Sequence, residues 1–258
     1  MRKTLMILAL LVFVLPLSAY SVNALKSSNT DRRVETIQSP AKIVATNQKS
    51  WHKLIAKADV INSDEFESKD DFAASSLTQL QNHSKSTIMG TIYNLQKMNS
   101  PKNMAYTKVT VHVDKVLTGD KDLKGKNIYL ALPGGLVSFD HWYANMSKPK
   151  DFDHEMLVKN DEAPLPAIGS KIITGLIPSS LDEPSNYNDA LKQSGFTNKN
   201  YSAISDPRYN LWIKKPNSKK FILNNPVLRK KAAKNDSLAK SIQKLTNEIN
   251  REYNNTKK

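Results

Sequence analysis

Residues 106–117 read YTKVTVHVDKVL, and this stretch decides the fold that we expect. Val109, Val111 and Val113 alternate with polar residues, and the same pattern places Leu117 beside them. A period of two that is rich in β-branched residues predicts a strand with one buried face. The sequence therefore predicts a sheet whose core side includes these valines.

The residues that follow predict a hairpin. A polar, lysine-rich segment at 119–126 has Gly119 and Gly125 at its bends, and a second apolar alternation covers 128–132. Pro-Gly-Gly at 133–135 matches neither a P-loop nor a dinucleotide-binding loop, because the required spacings are missing. We expect its glycines to supply unusual backbone angles where the chain leaves the sheet.

Short apolar runs elsewhere predict further strands. They lie at residues 87–95, 171–177, 209–213 and 221–223, and the last two flank KKPNSKK, which is typical of a hairpin tip. Several short strands separated by turn signals favour a small, mostly antiparallel barrel over a doubly wound sheet.

Helical periodicity appears before these strands. Residues 41–60 place Trp51, Leu54, Ile55 and Ala58 at helical spacing, with Ser50 as the expected cap. A second short helix is expected over 75–82, with its leucines facing inward.

A basic helix is expected after the last strand. Asn225 and Pro226 suit its cap and first position, while Asn235-Asp236-Ser237 either interrupts it or caps its second half. An apolar stripe on this helix is expected to dock on the barrel or on a partner. The stripe consists of Leu238, Ile242, Leu245 and Ile249.

The order of these signals over residues 75–177 resembles a broad group of secreted bacterial modules. The stretches that carry the resemblance are SSLTQL, STIMGTIYNL, YTKVTVHVDKVLTGD, LKGKNIYLALPGG and LPAIGSKIITGLIP. Such modules are similar to OB-fold barrels of the kind found in tissue inhibitors of metalloproteases. The resemblance implies a fold more than a function, because most matched positions are structural. The N-terminal cysteine with which those inhibitors engage a protease zinc is absent, so inhibition by that route is not expected.

We therefore expect an α+β protein, built as a small, mostly antiparallel OB-like β-barrel with short helices before it and an amphipathic helix after it. The expected division is a signal peptide at 1–24, a polar segment with one helix at 25–74, the barrel domain at 75–224 and the basic helix at 225–258.

The N-terminus has the parts of a secretory signal peptide. Arg2 and Lys3 are positive, an apolar run ends at Pro16, and Val22-Asn23-Ala24 fits a cleavage site. Retention of this segment as an anchor is the alternative. The chain has no cysteine, so an exported form would be stabilised by its core alone. With a Lys- and Asn-rich composition, this predicts a secreted or cell-surface protein of a Gram-positive bacterium.

The positive charge is concentrated at one end of the chain. The formal net charge is +14, and residues 211–258 hold 13 Lys or Arg against 3 Asp or Glu. Such asymmetry predicts contact with an anionic surface. The leading hypothesis is a non-enzymatic protein held at the cell envelope, with an anionic polymer or lipid headgroups as the partner.

One segment, YNLWIKKPNSKKF, interleaves aromatic residues with lysines. It suggests an OB-like binding site for an oligosaccharide, a peptide or a nucleic acid, the last being the least favoured. A hairpin with core aromatics and a solvated basic tip explains the same pattern. The candidate ligand-binding residues are Tyr209, Trp212, Lys214, Lys215, Lys219 and Lys220.

Evidence for catalysis is weak. His141 and His154 lie in one irregular segment beside several aspartates, which leaves a metal-dependent hydrolase as the third hypothesis. Their spacing matches no known ligand pattern, and no nucleophile motif stands in a convincing context. We therefore expect no catalytic residue, metal or cofactor.

Overall fold

The valine-rich stretch forms a long strand in the middle of the main sheet. The computed structural model describes residues 39–63, 71–148, 150–151, 153–234 and 236–254. The strands are β1 (Asp59–Asn62), β2 (Ser86–Lys97), β3 (Tyr106–Thr118), β4 (Asn127–Pro133), β5 (Gly135–Ser138), β6 (Glu155–Lys159), β7 (Lys171–Ile177), β8 (Ala203–Ile204), β9 (Leu211–Lys214) and β10 (Ile222–Leu223). The predicted signal peptide lies outside the described residues.

Helices lie before, between and after the strands. They are α1 (Pro40–Ile55), α2 (Leu77–His83), α3 (Phe139–Trp142), α4 (Asn186–Gln193), α5 (Pro207–Asn210), α6 (Pro226–Lys231) and α7 (Ser237–Tyr253), with 3₁₀ turns at Lys121–Leu123 and Ala232–Lys234. The residues that the structure describes belong to one compact unit.

The main sheet is antiparallel and runs in the order β10-β9-β7-β2-β3-β4, with β8 beside β7. A second sheet has the order β1-β6-β5, in which β1 and β6 are parallel. The α+β class, the mostly antiparallel pairing and the C-terminal helix are thus confirmed. The path of the main sheet does not close on itself, so a closed barrel is not established.

β3 departs from strict alternation near its end. Gly90 pairs with Val113 and Met89 pairs with Lys115, so β3 carries one extra residue between these pairs. This β-bulge turns Val116 into the core and leaves Leu117 half-buried against a different cluster. The prediction that Leu117 joins the valines is therefore wrong.

α1 begins earlier than its apolar spacing predicts. Ser39 is the N-cap and Pro40 occupies the first turn, where its fixed φ suits a helix. Ser50 therefore lies inside the helix and does not cap it, and Leu54 is 55% exposed. The last residues of the predicted helix instead form β1, which pairs with β6.

The sheets and helices enclose two main apolar cores. One lies on the inner faces of β2, β3 and β4 with Trp51 of α1, and it includes Leu136 of β5 and Leu157 of β6. The other lies on the opposite face of β7 and β9, under α2, α6 and α7, and it includes Ile173 and Trp212. The main sheet is therefore covered on both faces at β7 and β9.

α7 docks on the second core through the predicted stripe. Ile242, Leu245 and Ile249 are buried, whereas Leu238 is 37% exposed. The carboxylate of Asp236 accepts a hydrogen bond from the Ala239 amide, 2.9 Å away, so it caps α7 as one of the two alternatives predicted. Because the stripe packs within the chain, it is not a free surface for self-association.

Candidate functional site

The predicted ligand-binding segment forms α5 and the β9–β10 hairpin. Tyr209 lies in α5, Trp212 and Lys214 lie in β9, and the other three lysines lie in the hairpin tip. Tyr209 is half-buried and contacts the Arg208 guanidinium, 5.2 Å from its ring centroid. The six residues are therefore close in the chain but do not share one surface.

Trp212 is fully buried in the second core, with 0% of its surface exposed. Its indole nitrogen donates a hydrogen bond to Thr246 Oγ1 of α7, 2.9 Å away. A ring without an exposed face is unable to stack on a ligand. This corrects the predicted role of Trp212, and the hairpin interpretation explains its place in the pattern.

The four lysines of the segment differ in environment. Lys214 Nζ donates to Asn254 Oδ1 across 3.0 Å and lies 5.0 Å from the centroid of the Phe221 ring. Desolvation lowers the pKa of Lys214, and neighbouring Lys171 lowers it further. Lys215, Lys219 and Lys220 are exposed. Anion binding by these three lysines stays a prediction.

These three lysines belong to a larger set of exposed cations that we call the basic surface. It extends over the hairpin tip, α6 with its 3₁₀ turn, and the outer side of α7. Its members are Lys215, Lys219, Lys220, Arg229, Lys230, Lys231, Lys234, Lys240, Lys244 and Arg251. None forms an ion pair with another residue that the structure describes.

α7 fixes the direction of three of these cations. At 100° per residue, Lys240, Lys244 and Arg251 fall within about 40° of one another on the helix. They lie opposite the buried side chains Ile242 and Ile249. Docking of α7 on the sheet therefore holds three positive charges outward.

A separate cleft of about 920 Å³ opens beside β4, and the sequence did not predict it. Its floor is β4 at 130–133, and its walls come from the loop at 100–104, from α4 and from residues 203–207. This volume lies within the range of about 300–1,000 Å³ that is usual for ligand sites.

Three tyrosines line one wall of the cleft. The rings of Tyr106 and Tyr187 pack edge to face, with centroids 5.2 Å apart. The hydroxyls of Tyr187 and Tyr201 are hydrogen-bonded to each other. Burial raises the pKa of Tyr187 well above its ordinary value, and its tyrosine neighbours add to the effect. The three tyrosines are therefore packed on one another and not arranged as separate ligand contacts.

His141 also lines the cleft. Its Nε2 is 2.7 Å from the Ser100 carbonyl oxygen and 3.0 Å from that of Pro101. Since both partners are acceptors, Nε2 carries the proton and donates to them. This histidine therefore ties α3 to the loop that forms the cleft wall.

His154 has different partners. Its Nε2 lies 2.8 Å from Asp59 Oδ2 and its Nδ1 lies 3.3 Å from Asp151 Oδ2, while its ring stacks on Phe139. The described contacts of His141 and His154 share no residue. Among the residues that the structure describes, no group of three or more His, Cys, Asp or Glu side chains is arranged to hold a metal ion.

The Pro-Gly-Gly segment has the predicted structural role. Gly134 and Gly135 have φ values of 85° and 114°, which side-chain-bearing residues rarely adopt. A Cβ on Gly135 would collide with Thr107 Oγ1, which donates a hydrogen bond to the Gly134 carbonyl at 2.8 Å. The segment turns the chain from β4 of the main sheet into β5 of the second sheet.

No apolar pattern in the sequence predicted the cleft wall that α4 provides. Ser185 caps this helix by accepting from the Asn188 amide at 3.0 Å, and Gly195 follows its last turn with φ 78°. Both are recognisable signals for the ends of a helix. They were overlooked because α4 is short, with only Ala190 and Leu191 as buried apolar residues.

The chain matches no protein-family model, no curated protein and no solved structure. Separately, none of the helices in the described ranges combines the length and apolar character needed to cross a bilayer.

Proposed function

We propose that this chain is a secreted, non-enzymatic binding protein that is retained at the cell envelope by its basic surface. The observation that carries the proposal is the set of exposed cations on the hairpin tip, α6 and α7, which form no ion pair within the described ranges. Export rests on the signal-peptide pattern at 1–24. The partner chemistry is a phosphodiester anion, from teichoic acid or from lipid headgroups.

Retention by such a surface depends on many weak contacts. Each exposed ion pair contributes about 0–1 kcal/mol and is screened by salt. Several cations fixed on a docked helix bind a polyanion together, because one bound phosphate raises the local concentration of the next. Binding is therefore expected to be strong at low salt and to fall steeply as salt rises.

The test compares two triple variants of the mature protein. Lys240→Glu/Lys244→Glu/Arg251→Glu reverses the outer side of α7, and Lys121→Glu/Lys124→Glu/Lys126→Glu makes the same charge change at the exposed β3–β4 turn. Binding is measured on Gram-positive sacculi with and without teichoic acid, and on phosphatidylglycerol vesicles.

We expect the α7 variant to bind at least about ten-fold more weakly than wild type, and the turn variant to keep most of the affinity. Binding to sacculi that carry teichoic acid indicates the polymer as the source of phosphate, whereas binding to the vesicles indicates the lipid headgroup. Binding that ignores salt, or equal losses in both variants, would refute the proposal. Deletion of residues 225–258 is unsuitable, because it would uncover Trp212.

We also propose that the main sheet is a partly open, OB-like barrel. Tyr129 of β4 forms a parallel bridge with Tyr201, and the following strand, β8, pairs with β7. These contacts link the β4 end of the sheet back toward β7. They support the resemblance of residues 75–177 to secreted OB-like modules.

A second candidate function is a ligand-binding module, and the cleft beside β4 is the observation that favours it. Trp212, the central aromatic residue of the predicted hairpin site, is buried in the core and is not accessible to a ligand. The cleft, in contrast, has a volume that is usual for a ligand-binding site. An oligosaccharide, a peptide and a nucleic acid are the ligand classes to distinguish.

A further inference from the structure

The floor of the cleft is an edge strand with its polar backbone groups turned outward. The Tyr129 amide donates to the Asn200 carbonyl at 2.7 Å, and the Tyr129 carbonyl accepts from the Ser202 amide at 3.0 Å. Tyr129 therefore uses its backbone groups on the side away from β3. Because this direction alternates along an antiparallel strand, Ala131 also points its amide and carbonyl away from β3.

The chain that pairs with β4 at Tyr129 then leaves this edge. After Tyr201 and Ser202, it enters β8 and pairs with β7, where Ala203 lies opposite Ile177. The Ala131 amide and carbonyl have no hydrogen-bond partner among the residues that the structure describes. The cleft thus begins where the pairing of β4 stops, and Ala131 lines it.

An unpaired amide and carbonyl on one residue of an edge strand are the recognition elements of strand addition. They supply one donor and one acceptor to an extended chain, which offers its own N–H and C=O groups in return. The parallel bridge of Tyr129 with Tyr201 shows that this same edge pairs with an extended segment of backbone. An added peptide at Ala131 would continue that pairing along β4.

Hydrogen bonds fix the cleft wall that residues 100–104 form. Asn103 has φ 63°, an unusual angle for a residue with a side chain. Its amide donates to the His141 carbonyl at 3.1 Å, and its Nδ2 donates to the Trp142 carbonyl at 2.8 Å. Asn145 Nδ2 donates to Asn103 Oδ1 at 2.6 Å. A wall that is fixed before binding lowers the entropy cost of taking up a ligand.

The side chains around the cleft favour a peptide over the other two classes. Lys102 and Asp189 give the lining one positive and one negative side chain, which does not suit a phosphate backbone. Tyr106 and Tyr187 pack edge to face on each other, so they do not form a flat platform for sugar rings. Backbone pairing at Ala131 needs neither phosphate nor sugar.

We propose that the cleft binds an extended peptide segment, which adds to β4 by pairing with the backbone amide and carbonyl of Ala131. The proposal rests on the second candidate function and does not involve the basic surface. Side chains of the peptide would alternate between the tyrosine wall and solvent, because successive residues of a strand point to opposite sides.

The experiment pans a phage-displayed library of linear peptides on the mature protein and on two variants. Ala131→Pro removes the outward amide without removing a hydrogen bond to β3, since an edge strand tolerates proline at this register. Ala131→Ser keeps the amide and is the matched control. We expect enriched peptides to bind wild type and Ala131→Ser alike, and Ala131→Pro roughly ten-fold more weakly.

A second measurement scans the peptide against the wild-type protein and so does not depend on the folding of an Ala131 variant. An enriched peptide is synthesised with one N-methyl group at each position in turn. Loss of binding at alternate positions, with slower exchange of the Ala131 amide, is expected for strand addition. The α7 charge-reversal variant should bind the peptide normally, which separates this result from envelope retention.

Three outcomes would overturn the proposal. They are the absence of any enriched peptide, equal binding by folded Ala131→Pro, and an N-methyl scan without alternation. If oligosaccharide is the true ligand, the library yields no peptide and the first outcome applies.

Discussion

Trp212 and Thr246 join the sheet to the C-terminal helix through one buried hydrogen bond. The indole nitrogen of Trp212 in β9 lies 2.9 Å from the Thr246 hydroxyl in α7. Trp212 is 0% exposed and Thr246 is 6% exposed, so water reaches neither group readily. The helix that carries three cations of the basic surface is therefore anchored to the second core by this bond.

We predict that Trp212→Ala lowers the free energy of unfolding by about 3–5 kcal/mol, because it leaves a large cavity. Thr246→Val should cost about 1–3 kcal/mol, because it keeps the volume but leaves the indole N–H unpaired. Urea unfolding followed by circular dichroism measures both. Unchanged stability in Trp212→Ala would mean that the ring is at the surface after all.

The stripe of α7 allows a comparison within one helix. Leu245→Ala should cost about 2–5 kcal/mol, since Leu245 is fully buried in the second core. Leu238→Ala should cost less than about 0.5 kcal/mol, because Leu238 is 37% exposed. Thermal unfolding of the two variants is the measurement. Equal costs would contradict the docking of α7 through this side.

Alanine substitutions at Gly135 and at Gly125 distinguish the cost of backbone strain from the cost of a steric collision. Both have positive φ, but a Cβ on Gly135 meets Thr107, whereas a Cβ on Gly125 has nothing within 4 Å. We expect Gly135→Ala to destabilise the protein by about 2–4 kcal/mol and Gly125→Ala by about 1 kcal/mol. The midpoints of denaturant unfolding measure both costs. A smaller loss of stability in Gly135→Ala than in Gly125→Ala would contradict the tight turn between the sheets.

Arg208 balances a buried carboxylate. Its guanidinium donates to Asp206 Oδ1 at 3.1 Å and to Asp206 Oδ2 at 2.9 Å and 2.5 Å, and Asp206 is 0% exposed. Arg208→Met should cost about 3 kcal/mol, because it would leave the buried carboxylate of Asp206 without its guanidinium partner. Lys192→Met is the control, since Lys192 lies 4.0 Å from an exposed Asp189 and should matter by less than about 0.5 kcal/mol. Similar unfolding curves for the two variants would disprove the prediction.

Tyr187 should make stability depend on alkaline pH. Its folded-state pKa is raised well above the ordinary value by burial, so the unfolded chain loses this proton first. The stabilisation is therefore full below about pH 10 and is lost as pH rises toward the folded pKa, by at most about 1.4 kcal/mol per pH unit. Tyr187→Phe should flatten this slope. Urea unfolding at several pH values from about 8 to about 11 tests it, and parallel curves for the two proteins would rule it out.

Local sequence patterns predicted most single elements because their causes are local. The valines of β3, the bends at Gly119 and Gly125, and the stripe of α7 are each specified by spacing within one segment. The start of α1 at Pro40 was missed because the apolar pattern alone does not locate a cap. The bulge in β3 was missed because it depends on pairing with β2.

The candidate sites depended on tertiary structure to different degrees. The sequence by itself determined the cluster of cations after residue 210, the absence of cysteine and the alternation that makes β3 a strand. Tertiary structure decided that Trp212 faces α7, so its aromatic ring is core and not ligand surface. It also decided that the chain leaves the β4 edge after Tyr201, which opens the cleft at Ala131. Burial and edge pairing are properties of segments distant in the chain, and no local pattern encodes them.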